Sequence, residues 1–317
     1  MNFKVYYANQ DNYRSFQKEN GDRVYDWDFV ETLSQAAGFR NVSVFIEDNE
    51  RRIFIPLLER KVFSLYPVAF SLPFGLYGGF VPGDPLPETV KALAQINKTI
   101  AMSFVAQNLY NNEYLKNTGM STIGRNFTHV IELKNKTYND IFQQTFTKKL
   151  RNQVRKANKS NISVKSSNTP DLMSDFYELY YMSNQRWGHK KLKYEKSFFQ
   201  AFSDKPYVVT KIAYYQDAPI AGIILLKGFD RCQYWFGALD KKFGHLCPNH
   251  LLISQAIEGS TEQHLNFFDF GASGGRGQLS DVINFKESFG AKKMPFSIFF
   301  HGNPFVGKAL SMAMKVY

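Results

Sequence analysis

The chain has 317 residues, 44% hydrophobic and 21% charged, with a formal net charge of +11. This apolar content excludes a disordered polyelectrolyte and suffices for two cores of roughly 150 residues each. Two cysteines, Cys232 and Cys247, exclude a disulfide framework and a CxxC metal pair, while the basic excess points to polyanionic partners: nucleic acid, phosphorylated carriers or an anionic membrane face.

The opening Met1-Asn2-Phe3-Lys4-Val5 lacks the charged-then-apolar layout of a signal peptide, and the most apolar window, 62–81, is interrupted by Pro67, Pro73 and a glycine cluster. A cytoplasmic setting is expected, with peripheral contact at the inner membrane face left open. Apolar residues at Phe29, Val30, Leu33, Ala36 and Ala37 predict a helix over 27–39 that stops at Gly38. Strands over 41–47 and 52–59 follow as a hairpin. Residues 71–80, Ser-Leu-Pro-Phe-Gly-Leu-Tyr-Gly-Gly-Phe, break an aromatic strand with a proline and glycines, allowing either a close backbone approach to a ligand or a plain bulge.

A long helix is expected over 87–108, with Ala92, Ile96, Ile100 and Phe104 on one face, and a strand over 126–133. The helix expected over 138–159 sets an apolar line, Phe142, Phe146, Leu150 and Val154, beside a basic one, Lys148, Arg151, Arg155 and Lys159. Lys149 and Lys156 widen the basic line and no acid intervenes, which suggests a phosphate-facing surface; a solvated charged face is the plainer reading. The polar stretch 158–168 is the expected boundary, giving domains 1–160 and 161–317. Thr169-Pro170-Asp171 then opens a helix towards 187, followed by a short helix over 195–202 and strands over 207–216, 219–229 and 231–239. A basic loop with Lys241, Lys242 and Gly244 leads into a helix over 249–259, and a strand over 296–301 comes near the end.

The stretch 267–290 is the richest in chemistry. An aromatic strand enters a glycine loop and then a helix with Ser280 as its N-cap, an arrangement that aims backbone N–H groups at one point. Asp269 at the strand end can orient or deprotonate an amine, or cap the loop. Arg276 suits a phosphate or carboxylate clamp, or is an exposed loop arginine. Gly271-Ala272-Ser273-Gly274-Gly275 fits the G-x-S-x-G nucleophile elbow, but after Ser273 too little chain remains to place Asp281 and His301 as triad partners. No His, Cys, Asp or Glu spacing suggests a metal site, and His245 and His250 stand singly.

Helix, antiparallel strands, a strand running into loop and helix, then another strand: this order occurs twice and resembles the GNAT acyltransferase fold. The fold class expected is α/β (α+β), two tandem domains each with a mixed, largely antiparallel twisted sheet flanked by helices. Residues 149–157, Lys-Leu-Arg-Asn-Gln-Val-Arg-Lys-Ala, resemble the basic linker helix of the FemABX family of peptidyl and aminoacyl transferases. Residues 71–79 resemble a Ser-Leu-Pro-Phe…Tyr-Gly-Gly segment of a FemAB-like branch associated with envelope polysaccharide clusters, and 268–273 with 285–290 resemble the family's C-terminal strand, loop and helix.

The resemblance implies transfer of an acyl or aminoacyl group to an amino group of a cell-envelope precursor, by direct attack on the activated carbonyl. It implies Lys286 and Asp269 as catalytic residues, with Phe285, Arg276, Ser273, Tyr77, Gly78, Arg151 and Arg155 contacting substrate. Lys241, Lys242 and Gly244 would meet the carrier's phosphates, and backbone at 236–238 would receive the carbonyl oxygen. The GNAT pyrophosphate loop is reduced here to Lys-Lys-Phe-Gly-His-Leu over 241–246, and the helical arm that some members insert for tRNA has no counterpart. Acyl-CoA and aminoacyl-tRNA therefore both remain as co-substrate, with no tightly bound cofactor and no metal. The expected partner is a phosphorylated or lipid-linked envelope precursor, held by the first domain, with tRNA a partner under the second donor. A non-catalytic RNA- or membrane-surface-binding protein on the same fold is the alternative of a different kind.

Overall fold

A computed structural model describes residues 4–20, 27–47, 52–62, 65–76, 78–79, 92, 100–104, 120–186, 192–228, 230–272 and 280–316. In chain order the elements begin with β1 (Lys4–Tyr7), α1 (Gln10–Asn20), α2 (Trp27–Ala37), β2 (Arg40–Asn41), β3 (Val44–Glu47) and β4 (Arg52–Ile55). Next come β5 (Leu58–Val62), β6 (Tyr66–Ser71), β7 (Ile100–Phe104) and β8 (Ser121–Glu132). A helical turn (Tyr138–Asp140) and a π-helical turn (Ile141–Thr145) precede α3 (Lys148–Asn158), β9 (Ser163–Ser167), α4 (Pro170–Arg186), α5 (Lys196–Gln200), β10 (Val208–Tyr215) and β11 (Ala218–Lys227). The chain ends with β12 (Arg231–Leu239), a 3-10 helix (Lys241–Leu246), α6 (Pro248–Glu262), β13 (Phe267–Ala272), α7 (Ser280–Ser288), β14 (Lys292–His301) and α8 (Pro304–Val316).

Two compact units form. One contains Met1–Thr128 and the returning Lys293–Tyr317; the other contains His129–Gly271 and Ser280–Lys292. Each holds a mixed, largely antiparallel sheet flanked by helices, and the first has a small second sheet as well. This differs from a division at 160/161 for two physical reasons. The polar stretch 158–168 is not a linker, because β9 pairs with β10 from Tyr214↔Ser163 to Thr210↔Ser167, and α3 buries Leu150 and Val154 in one core with Ile253 and Ile257 of α6. The C-terminal segment returns to the first unit, where Val306 and Leu310 of α8 pack with Val62 and Val68.

In the first unit β1, β3 and β4 make a small antiparallel sheet over a cluster of Tyr13, Phe16, Phe45 and Phe54. The strands expected over 41–47 and 52–59 each divide in two. Ser43 Oγ accepts the Leu57 N–H at 3.0 Å and the Val42 N–H donates to Leu57 O at 2.9 Å, so the chain changes sheets there. β2 and β5 pair in the second sheet, which continues through β6, β7 and β14. The helix expected over 87–108 is corrected at its end: Ile100–Phe104 is a strand, parallel to β6 and antiparallel to β14. A strand partner on each side of this mostly apolar run outweighs its helical spacing. Apart from Ala92, the rest of that expected helix lies outside the described residues.

In the second unit the strand order is β13-β12-β11-β10-β9. Residues 220–226 of β11 are buried without a break, because α4 covers one face and α6 the other. The helix expected over 138–159 is interrupted: Phe146 is extended and Thr147 caps α3 by accepting the Leu150 N–H at 3.2 Å. The interruption is where the end of α7 docks, with the Thr147 N–H donating to Ser288 O at 2.9 Å. Gly290 follows at φ +77°, and a Cβ there would lie 2.6 Å from both Cβ and O of Thr145. Gly290→Ala therefore combines left-handed strain with a backbone clash and should lower stability by at least about 2 kcal/mol, measured by urea unfolding.

Candidate functional site

The site is built where two parallel strands part. β12 and β13 share only Arg231↔Phe267, Cys232↔Phe268 and Gln233↔Asp269, although β12 runs on to Leu239 and β13 to Ala272. On its other edge β12 carries a bulge: Leu225 faces Tyr234 and Ile224 faces Phe236, leaving Trp235 as the extra residue. The Tyr234 ring lies over Gly237, where a Cβ would sit 1.7 Å from the phenol oxygen, and burial pushes that phenol up to about 12. Bulge and splay together turn the backbone after Gln233 away from β13.

At the mouth of this wedge the Gly271 peptide groups are held from two sides. Asp269, fully buried, accepts the Gly271 N–H on Oδ1 at 2.7 Å, and its Oδ2 is 3.6 Å from Arg231 Nη1. Lys286, only 5% exposed, donates from Nζ to Gly271 O at 3.1 Å. Gly271 has φ +71°, which lets the strand end in this turn. Burial pushes the Lys286 ammonium down to about 8, opposed by the negative charge of Asp269. The result is a desolvated cation with its pKa lowered to about 8, set beside the backbone of two strands that part after Gln233 and Asp269. Such a group can stabilise developing negative charge.

Phe285 beside it is half-buried, edge-on to His250 at 5.1 Å and to Phe289 at 5.3 Å. Burial holds the His250 imidazole down at about 4, so it is a neutral wall at pH 7. His129, fully buried, brings Nε2 within 3.5 Å of Glu287 Oε1, next to Lys286 in α7. Neither Arg231 nor His129 figured among the sequence candidates, since only tertiary pairing brings Arg231 to Asp269 and His129 to Glu287.

The remaining candidates separate by environment. Arg151 turns inward: its Nη1 donates to Phe146 O at 2.5 Å and Gln143 O at 3.1 Å, closing the end of the π-helical turn. Arg155 is exposed, 5.6 Å from the Phe142 ring, and Lys148, Lys149, Lys156 and Lys159 are exposed with it. Around Gly244 the segment is a closed 3-10 helix. The Lys242 N–H donates to Asp240 Oδ1, the Phe243 N–H to Asp240 O and the Cys247 N–H to Gly244 O. Nothing crowds a Cβ at Gly244, so what this segment offers an anion is the exposed side chains of Lys241 and Lys242. In the first unit Gly78 is required by packing, since a Cβ there would lie 2.0 Å from Ser71 Oγ, which accepts the Gly79 N–H at 2.9 Å. Tyr77, Ser273 and Arg276 lie outside the described residues. Among the described residues no group of three or more His, Cys, Asp or Glu could hold a metal, and no helix is long and apolar enough to cross a membrane.

Two consequences are measurable. Arg151→Ala removes charged donors from two carbonyls and should cost about 2 kcal/mol in urea unfolding, whereas Arg155→Ala should change stability by no more than about 0.5 kcal/mol. The native Lys286 pKa lies below its unfolded value of about 10.4, so the native state releases its proton first. Stability should therefore rise as pH passes upward from about 8 towards 10.4, by about 3 kcal/mol at most, and Lys286→Met should flatten that rise.

A family model for the acetyltransferase (GNAT) domain matches residues 144–281. No curated protein sequence matches the chain. Among solved structures, FemX is 13% identical with a TM-score of 0.72, covering 98% of this chain and 100% of that one. The C-terminal domain of a protein from Agrobacterium fabrum, provisionally assigned as a lysylphosphatidylglycerol synthetase, is 11% identical with a TM-score of 0.60 and 90% coverage of each chain. A tandem GNAT protein from the clavulanic acid biosynthesis pathway is 11% identical with a TM-score of 0.54, covering 94% and 97%. Residues 144–281 therefore match an acetyltransferase (GNAT) domain, and the chain as a whole shares the fold of FemX and of the tandem GNAT protein.

Proposed function

We propose that the protein passes an acyl or aminoacyl group to an amino group of a cell-envelope precursor at the wedge between β12 and β13. The observation that carries this reading is the buried Lys286 ammonium, held on Gly271 O where the two strands part. The acceptor amine attacks the carbonyl of the activated acyl group, forming the C–N bond and moving an electron pair onto the carbonyl oxygen. Backbone N–H groups of 236–238 take that oxygen, and the Lys286 charge stabilises the tetrahedral intermediate. Collapse breaks the bond to the carrier, which leaves as a thiol or alcohol with the proton that the amine gives up. Asp269 serves by positioning, since one oxygen holds the Gly271 N–H and the other faces Arg231.

An acyl-CoA donor is favoured by the GNAT domain match. Aminoacyl-tRNA is the second reading, favoured by the five exposed cations of and just after α3. Likeness of fold to FemX and to the lysylphosphatidylglycerol synthetase domain supports a peptide, sugar or lipid-linked precursor as acceptor. We assign the acceptor to the 71–79 turn of the first unit and the donor to the second unit. Either donor implies work in the cytoplasm, at the inner membrane face when the acceptor is lipid-linked.

The test is an intact-mass assay of acyl transfer, with a CoA thioester pool or charged tRNA as donor and an envelope-precursor extract as acceptor. Transfer from the thioester pool is expected. A folded Lys286→Gln variant should lose about 100-fold in kcat, and Lys286→Arg should restore part of it. Because the Lys286 cation is present below about pH 8 and lost above it, the wild-type rate should fall as pH passes upward through that value, a limb absent from Lys286→Gln. A wild-type rate in folded Lys286→Gln would sink the role, and transfer from charged tRNA alone would reassign the donor.

A further inference from the structure

The second unit holds a polar cavity of about 360 Å³ between the C-terminal half of α6 and strands β9 to β12, a size within the range of small-molecule sites. It is lined by Lys211, Lys227, Cys232, Gln255, Ser260 and Gln263, none of which belongs to the group around Gly271. Lys211 stands in the middle of β10 and Lys227 at the end of β11. Among the described residues neither lysine is within ion-pair distance of a carboxylate. Burial lowers the Lys211 pKa, while the Cys232 thiol and the charges of Glu258 and Glu262 favour its ammonium and Lys227 opposes it. Glu258 is itself raised by burial and by Glu262. A leucine or methionine at 211 would fill such a space with no desolvated charge.

The helix facing these lysines leaves the space open. Gly259 of α6 lines the cavity, and nothing lies within 4 Å of where its Cβ would be. A helix-interior glycine gives up about 1 kcal/mol of propensity relative to alanine. Cys232 has its thiol pushed up to about 11 by burial, so it forms a neutral floor and is not a nucleophile. Two lysines line one cavity with, among the described residues, no carboxylate within ion-pair distance of either, and amide and hydroxyl groups line it with them; such a lining matches a compact anion.

We infer that this cavity is a second ligand site, for a small organic dianion, either a phosphate monoester or a dicarboxylate, bound between Lys211 and Lys227.

The full chain is titrated by calorimetry and by thermal unfolding with inorganic phosphate and, separately, with succinate, each balanced against sodium chloride at constant ionic strength. A saturable rise in unfolding midpoint is expected with at least one probe, and the probe that binds identifies the anion class. Lys211→Gln and Lys227→Gln should each weaken binding by about tenfold or more, whereas Lys241→Gln and Lys242→Gln should not change it. Gly259→Met, which puts a side chain into open space, should abolish binding while keeping or raising stability. Equal binding in Lys211→Gln and Lys227→Gln, undiminished binding in Gly259→Met, or no midpoint rise with either probe at about 20 mM would overturn the assignment. The readout is independent of acyl transfer.

Discussion

Lys286 is carried on a helix in which it is itself the buried residue, and its ammonium donates to the carbonyl oxygen of Gly271. A desolvated ammonium is destabilising unless its donors are met, so the geometry of the Gly271 turn and the position of α7 constrain each other. Asp269 holds the N–H of the same glycine, and Arg231 sits on the far side of Asp269. Three charged side chains from β12, β13 and α7 thus close around one peptide turn. The C-terminal end of α7, which carries Lys286, is fixed by the Thr147 N–H bonding Ser288 O and by the tight packing of Gly290 on Thr145. The interruption of the helical region near Phe146 therefore has a role in placing the lysine.

The strands that receive this group are held apart by packing. Trp235 is extruded by the bulge and meets Phe198, Phe202 and Phe236 at 5.8, 5.0 and 4.7 Å, while Phe236 meets Tyr194 at 5.2 Å. Aromatic contacts at these separations hold the strand rigidly without needing polar partners. The phenol of Tyr234 occupies the room that Gly237 leaves. β12 is therefore committed to its twist before any ligand arrives, which is the preorganisation an oxyanion-binding backbone needs.

How much of this could be read from the sequence follows the range of the interactions. The element order in the second unit, with its strands over 207–239 and the strand and helix of the stretch 267–290, rests on local periodicity and turn chemistry and agrees closely with β10, β11, β12, β13 and α7. Asp269 and Lys286 stand out because a carboxylate and a lysine flank a glycine loop, though their shared partner Gly271 is visible only in three dimensions. Ile100–Phe104 misleads because its four apolar residues satisfy helical spacing and an interior strand equally well. The stretch 158–168 misleads because β9 is a polar edge strand, and polarity is also what a linker shows. Arg231 was legible only as a strand-start arginine, since the parallel register that brings it to Asp269 is set by distant pairing.

The six cations between Lys148 and Lys159 show why charge counting and geometry have to be combined. Arg151 is used internally on two carbonyls, which leaves the exposed face with five positive groups and no acid. The segment from Lys241 to Leu246 satisfies several of its N–H groups internally and offers an anion its lysine side chains. Phosphate recognition through either region would thus rest on mobile ammonium and guanidinium groups, which tolerate varied phosphate geometry but are screened by salt. Precision in this unit resides in the Gly271 turn, where backbone and buried charge fix each other. Discrimination between carriers would then come from how the acyl carbonyl meets that turn, with the basic surfaces contributing attraction at longer range.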